Sequence, residues 1–312
     1  MQIIEAESHW SSHAPTAVAL GTFDAMHLGH LAILKNAVCY ARQHGIQPVV
    51  YLFRNLPRAV LTGRQIPHVA SFEKRMQILE EAGIEIAVVE NFTKAYQELS
   101  YIDFVQSYLA ERFRAQYISV GYNYHFGRGG EGNTEKLKKA CAPYGIQVEV
   151  APCVSLEEPV SSTFIRSLVA DGEMETAARY LGRWFSVSGE VVYGNGLGRG
   201  IGFPTANLAL TDDCITPKYG VYLTFVIRDG VQYPAITNVG MKPTVERNYP
   251  CIETHLMHFD QDLYGRQIEV HFCRYLRDTV KFAGMDALRA QLERDKAACL
   301  DYFQEQGLVC KE

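Results

Sequence analysis

Two imidazoles, His27 and His30, stand three residues apart between an apolar stretch TAVALG (16–21) and a second one, LAIL (31–34). A strand that hands over to a helix presents unpaired backbone N–H groups and the positive end of the helix dipole at the junction. Gly29, between the two rings, lets a phosphate come close to the backbone. On a first helical turn His27 and His30 share one face. Each can then donate hydrogen bonds to phosphate oxygens as charge builds on them.

A second constellation lies in GRGIGFPTANL (198–208). Gly198, Gly200 and Gly202 allow the backbone to fold tightly around a phosphate chain. Pro204 stiffens the segment that follows. If 204–208 is extended, Thr205 and Asn207 point to the same side. A hydroxyl and an amide carbonyl are hard neutral oxygens, suited to Mg²⁺ alongside the phosphates of ATP. No GxxxxGK[ST] occurs, so a P-loop kinase is excluded.

These residues need two kinds of scaffold. In the first half, apolar strands alternate with amphipathic helices. TAVALG, PVVYLF (48–53), IEIAVVE, YISVG and QVEVAPCV read as strands. HLAILKNAVCYARQHG reads as a helix capped by Gly45, SFEKRMQILEEAG as one starting near Ser71, and SYIDFVQSYLAERF as one with a capping-box start. The alternation predicts a parallel sheet covered on both faces. Two short helices follow in 160–182. From Trp184 the chain reads as strands: FSVSGEVVY, GVYLTFVIR, VQYPAITNVG, CIETHLMHF and RQIEVHFCRYL, with a hairpin signal at Asp229-Gly230. Helix returns only in MDALRAQLERDKAACLDYFQEQG. The expected architecture is an α/β domain over 1–182 and, over 183–312, a small all-β barrel with a C-terminal helix.

GTFDAMHLGH resembles the H-x-G-H signature of the nucleotidyltransferase superfamily. More closely, the chain resembles the bacterial bifunctional riboflavin kinase/FAD synthetase family. SSTFIR (161–166) is similar to that family's second phosphate-binding motif, and GYNYHFGRGGEGN (121–133) to its G-x-(D/N)-F-x-F-G segment. The barrel string matches the family's G-F-P-T-A-N motif without a change. The resemblance implies a Rossmann-like, nucleotidyltransferase-like first domain and a riboflavin kinase-like barrel. It implies ATP contacts of the adenylyltransferase from Gly21, Phe23, Asp24, His27, His30, Ser162, Thr163 and Arg166, and flavin or nucleotide contact from Asn123. In the kinase it implies ATP contacts from Gly198, Gly200, Gly202, Phe203, Pro204 and Thr205, Mg²⁺ on Thr205 and Asn207, Glu253 as base, and Arg277 near the flavin. The implied reactions convert riboflavin to FMN, then FMN to FAD and pyrophosphate, each with ATP.

The chain departs from the family pattern in several places. Ala25 stands where glycine is usual, Asn55 and Leu56 precede Pro57 in place of P-H-P, His125 replaces an arginine, and Pro159 replaces a basic residue. Tyr193 and Asn195 stand where the family often has H-G-D. These departures leave an alternative: a riboflavin kinase whose first domain binds nucleotide or flavin without turning it over.

Composition excludes other classes. The chain has 312 residues, 47% apolar and 21% charged, as in a soluble globular protein. A net charge of −5 without a basic run argues against nucleic-acid partners, and the family resemblance implies small-molecule substrates. Eight scattered cysteines form no C-x-x-C, so no zinc ribbon or dithiol motif is expected, and reduced thiols fit a cytoplasmic location. MQIIEAESHW lacks the features of a signal peptide, and no apolar run approaches the ~20 residues of a membrane span. GRGGEG (127–132) satisfies G-x-G-x-x-G but follows the fourth strand, so a loop is the better reading. His255 and His258, three apart on a strand, face opposite sides and make a poor metal pair. Nothing resembles a coiled coil, and the oligomeric state stays open.

Overall fold

The computed structural model describes residues 1–5, 10–194, 197–209, 213–243 and 248–307; Asn195 and Cys310 lie outside them. The chain divides into two compact units, Met1–Ser162 and Thr163–Glu312.

The first unit is a six-stranded sheet in the order β1-β4-β3-β2-β5-β6, every pairing parallel. Its strands are β1 (Gln2–Glu5), β2 (Thr16–Leu20), β3 (Gln47–Phe53), β4 (Ile86–Glu90), β5 (Ala115–Gly121) and β6 (Gln147–Ala151). All five residues of β2 are buried, as in a strand covered on both faces. One face packs Val18, Leu20, Val49, Val88, Ile118 and Val120 into a core, and the other packs Ala19, Val50, Leu52 and Ala87 against Ile33, Leu34 and Ala37. The helices are α1 (Leu28–His44), α2 (Pro57–Thr62), α3 (Phe72–Glu81), the short turns α4 (Lys94–Gln97) and α5 (Tyr101–Asp103), and α6 (Thr134–Cys141). α1 ends on Gly45 at φ 64°, and Ser71 caps α3 by accepting from the Lys74 N–H. Ser100 caps α5 as expected, but the helix runs on in π-helical form over Phe104–Arg112.

The second unit opens with α7 (Ser162–Asp171, whose first residue belongs to the first unit) and α8 (Met174–Leu181). Six antiparallel strands then close a barrel in the order β10-β11-β8-β7-β12-β9. They are β7 (Phe185–Val192), β8 (Ala206–Leu208), β9 (Gly220–Arg228), β10 (Val231–Pro243), β11 (Asn248–Leu256) and β12 (Gln267–Arg277), with α9 (Leu197–Gly200) before β8 and α10 (Met285–Glu305) after β12. Asp229 and Gly230 both take positive φ, 52° and 77°, as a tight hairpin turn between β9 and β10 requires. Thr224, Thr237 and Thr254, all fully buried, join hydroxyls inside the barrel at 2.7 and 2.9 Å. On the outer face, Cys299, Tyr302 and Phe303 of α10 pack on Val221, Leu223, Phe225, Ile236 and Cys273.

The division between units falls ahead of the boundary expected at 182/183. α8 is tied to the barrel, where Arg274 of β12 donates to both carboxylate oxygens of Glu175 at 2.7–3.1 Å. No helix among the described residues is long and apolar enough to cross a membrane.

Candidate functional site

β2 leads through α1 to β3 on one side of the sheet, while β5 pairs on its other side. The strand order therefore reverses between β2 and β5, and the crevice at their carboxyl ends is where such sheets bind ligands. The loop from Gly21 to His27 leaves β2 there, and the turn carrying Tyr122 and the exposed Asn123 leaves β5 beside it.

His27 is the N-cap of α1. Its Nδ1 accepts the His30 N–H at 3.2 Å, so in the neutral ring the proton is on Nε2, which becomes a donor. The His30 ring stacks on that of His27, centroids 3.7 Å apart and 11° from parallel. No acidic residue occupies the first turn of α1, so its positive end is left for an anion. Gly29 has a further use, because a Cβ there would come within 3.2 Å of the His27 ring.

The loop before the histidines is built inward. Phe23 and Met26 take φ near 50°, a conformation costly for such side chains and found where a site demands it. The buried Phe23 ring leans on His30 at 5.2 Å, and Gly21 makes room for that ring. Asp24 is 2% exposed, and its Oδ1 accepts the Val69 N–H at 3.1 Å beside His68 Nδ1 at 3.0 Å. It fastens the loop to the segment before α3. Ala25 is buried with negative φ, so its methyl group costs nothing in backbone strain.

The other departures also have local roles. Asn55 clamps the backbone of Phe92, accepting its N–H at 2.8 Å and donating to its carbonyl at 3.0 Å. Leu56 is buried at the start of α2. His125 is exposed, with Nδ1 3.0 Å from the Asn123 carbonyl, and Pro159 bridges to Ser155. Ser162 and Thr163 open α7, and Arg166 follows one turn on. GRGGEG (127–132) forms a short 3-10 turn closed by a bridge between Phe126 and Gly132, not the opening of a helix.

In the barrel, Asn207 of β8 lies directly opposite Glu253 of β11. Opposed residues of an antiparallel pair face the same side, here the outer one. The Cys251 thiol is 3.9 Å from both Asn207 Oδ1 and Glu253 Oε1, so the two oxygens converge. The Gly198 N-terminal to them lies against the Phe203 carbonyl, where a Cβ would collide, and Gly202 takes φ 84°. Nothing crowds Gly200. Phe203 is buried and leans on His255 at 5.0 Å, while Thr205 is half-buried. Tyr193 stacks on Tyr264 of the D-L-Y-G segment, centroids 4.0 Å apart. Arg277 is held in a two-pronged ion pair with Asp295 of α10, Nη2 at 2.6 Å and Nε at 3.0 Å.

Sequence reasoning missed His68 and Asp295, and it weighed His255 only as a metal ligand paired with His258 on one strand; β11 ends at Leu256, and His258 lies beyond it at φ 56°. His255 Nδ1 donates to the Pro204 carbonyl at 2.8 Å, which anchors the segment bearing Thr205 and Asn207. Burial pulls its imidazole below the ordinary value, against the smaller opposite pull of that hydrogen bond; Lys296 lowers it further and Glu293 raises it. Below about pH 6.5 the unfolded chain therefore binds more protons than the folded one, and stability is lost as the pH is lowered. The melting temperature should drop more steeply from about pH 7 to pH 5 in the wild type than in His255→Gln. Parallel slopes would clear His255 of that role.

Comparison with known proteins gives matches to both halves of the chain. The family model for FAD synthetase matches residues 9–164, and that for riboflavin kinase matches 181–303. A protein of Haemophilus influenzae, named bifunctional riboflavin kinase/FMN adenylyltransferase, is 31% identical over 92% of this chain and 94% of its own length. Its namesake in Escherichia coli is 32% identical over 95% of this chain and 96% of its own. A crystal structure from Streptococcus pneumoniae, described as a macrolide-efflux protein, superposes with a TM-score of 0.88 at 30% identity, covering 96% of this chain and 99% of that one.

Proposed function

The chain belongs to the bifunctional riboflavin kinase/FMN adenylyltransferase family, and from that membership we propose how its residues divide the two reactions. The enzyme phosphorylates riboflavin to FMN and adenylylates FMN to FAD, consuming ATP in both steps. The kinase falls to the barrel, expected over 183–312, and the adenylyl transfer to the α/β domain, expected over 1–182.

In the barrel, Glu253 takes the proton of the 5′-hydroxyl as its oxygen bonds to the γ-phosphorus, and ADP leaves. The face-to-face placement of Asn207 and Glu253 carries this reading. Thr205 and Asn207 would hold Mg²⁺, and their neutral oxygens fit a hard cation that takes its remaining ligands from phosphates. Bound there, the ion neutralises charge on the transferring phosphate. Gly198 and Gly202 shape the loop around the phosphate chain, and Arg277 is assigned to the flavin.

In the α/β domain, an FMN phosphate oxygen attacks the α-phosphorus of ATP and pyrophosphate leaves, with no covalent enzyme intermediate. His27 donates through Nε2, and His30 and the amino end of α1 share the developing charge. The stacked pair at the strand-order reversal carries this reading. Asp24 and Phe23 support it from behind, Asn123 faces flavin or nucleotide, and Ser162, Thr163 and Arg166 keep the family's assignment to the distal phosphates. A cytoplasmic location completes the proposal, consistent with the absence of disulfides among the described cysteines.

Chromatography of products tests the pair of activities. With ATP and Mg²⁺, FAD should form from riboflavin and, in a parallel reaction, from FMN. FMN accumulating in the first reaction, with nothing made in the second, would confine activity to the barrel. A separate test addresses Asn207. A Cβ at Gly194 would come within 2.7 Å of Asn207 Cγ, so Gly194→Ala must displace that side chain. FMN formation should fall by about tenfold or more, the loss of one buried charge-assisted contact, while FAD formation from FMN holds. Unchanged kinase turnover would remove Asn207 from the site.

A further inference from the structure

One residue of the kinase face has no assigned part. Asn207 lies opposite Glu253, Glu253 opposite Asn238 of β10, Asn238 opposite Val221 of β9, and Val221 opposite Arg277 of β12. The row runs across five strands of the outer face, with neighbouring Cβ atoms about 5 Å apart. Asn238 stands next to the base, on the side away from Asn207. It is half-buried, between Thr237 and Val239, which are fully buried inside the barrel.

The orientation of its amide is set by the segment after β12. Thr279 Oγ1 donates to Asn238 Oδ1 at 3.4 Å. That leaves Nδ2 as the end available to donate elsewhere. Two residues before Thr279, at the end of β12, Arg277 is pinned by Asp295 and donates from Nη1 to the Asp278 carbonyl at 3.0 Å. Asn238 is thus braced in a fixed frame between the base and the arginine assigned to the flavin.

A ribityl chain offers several similar hydroxyls, each both donor and acceptor. Delivering only the terminal one to a base requires a partner for the hydroxyl beside it, and a fixed amide suits that task. We propose that Asn238 binds the ribityl chain of riboflavin, donating from Nδ2 to the 4′-hydroxyl and so presenting the 5′-hydroxyl to Glu253. The proposal rests on the assignment of Glu253 as the base.

The test compares wild type, Asn238→Ala, Asn238→Asp and Glu253→Gln in the full chain, with riboflavin and 4′-deoxyriboflavin as substrates. Asn238→Asp keeps the acceptor for Thr279 and removes the donor, which covers the case of an alanine variant that fails to fold. Both Asn238 variants should raise the KM for riboflavin about tenfold while the KM for ATP stays within about twofold. The wild type should prefer riboflavin over the deoxy substrate about tenfold in kcat/KM, and the variants should lose that preference. A preference unchanged in the variants, or an equal rise in both KM values, would overturn the proposal. Full turnover by Glu253→Gln would overturn the base assignment and the presentation of the hydroxyl to it, while the substrate preference still reports on Asn238 by itself.

Discussion

Glu253→Gln should stop FMN formation while FMN is still converted to FAD. The substitution keeps size and hydrogen-bonding reach but removes the only change that matters, the capacity to take a proton. General-base catalysis of this kind contributes about 10²–10⁴-fold, so FMN formation should fall within that range. Glu253 is half-buried on the outer face, and glutamine preserves its shape, so the fold should hold. The neighbouring Cys251 thiol, 3.9 Å from Glu253 Oε1, is a weak donor toward that carboxylate rather than a substitute acceptor. Initial rates from riboflavin and from FMN, measured on one preparation, separate the two reactions. A fall of less than about tenfold from riboflavin would sink the base assignment. A parallel fall from FMN would point to lost protein rather than lost chemistry.

The motifs behind that prediction were legible in the chain because they rest on local properties. Apolar runs set β2, β3 and β4, glycine placed the end of α1, and the Asp229-Gly230 pair placed a hairpin. Site residues such as His27 and Asn207 came from spacing and from resemblance together. What could not be read is whatever depends on pairing across distance. The opposition of Asn207 to Glu253 and of Glu253 to Asn238 is a matter of register between strands far apart in sequence. Asp24 reads as a ligand of ATP, and only the fold reveals that it is tied to His68 and Val69. Nothing in the sequence singles out Arg75, yet it is 1% exposed and donates to the carbonyls of Phe53 and Arg54 at the end of β3. β1 has four residues, too few to show a period, and only its pairing with β4 makes it a strand. The π-helical turn of Phe104–Arg112 follows a correct cap, since caps fix where a helix starts and not how it winds.

His27 is assigned two jobs that one pair of substitutions can separate. Its Nδ1 caps α1 by accepting the His30 N–H, and its Nε2 is the donor assigned to phosphate. Asparagine is among the best N-cap residues, so His27→Asn keeps an acceptor for the helix while removing the far donor. His27→Ala removes both. If the ring acts on the transition state, both variants should lose about 10²–10³-fold in FAD formation from FMN, the scale seen when one such donor is removed. Only the alanine variant should also lose about 1 kcal/mol of stability, the ordinary worth of a cap. FMN formation from riboflavin should persist in both, so FMN accumulates where the wild type makes FAD. Thermal melts and product chromatography read the two effects independently. Full FAD formation by His27→Asn would mean that His27 serves the helix alone, and the charge on the leaving pyrophosphate would then fall to His30 and the backbone N–H groups of the first turn.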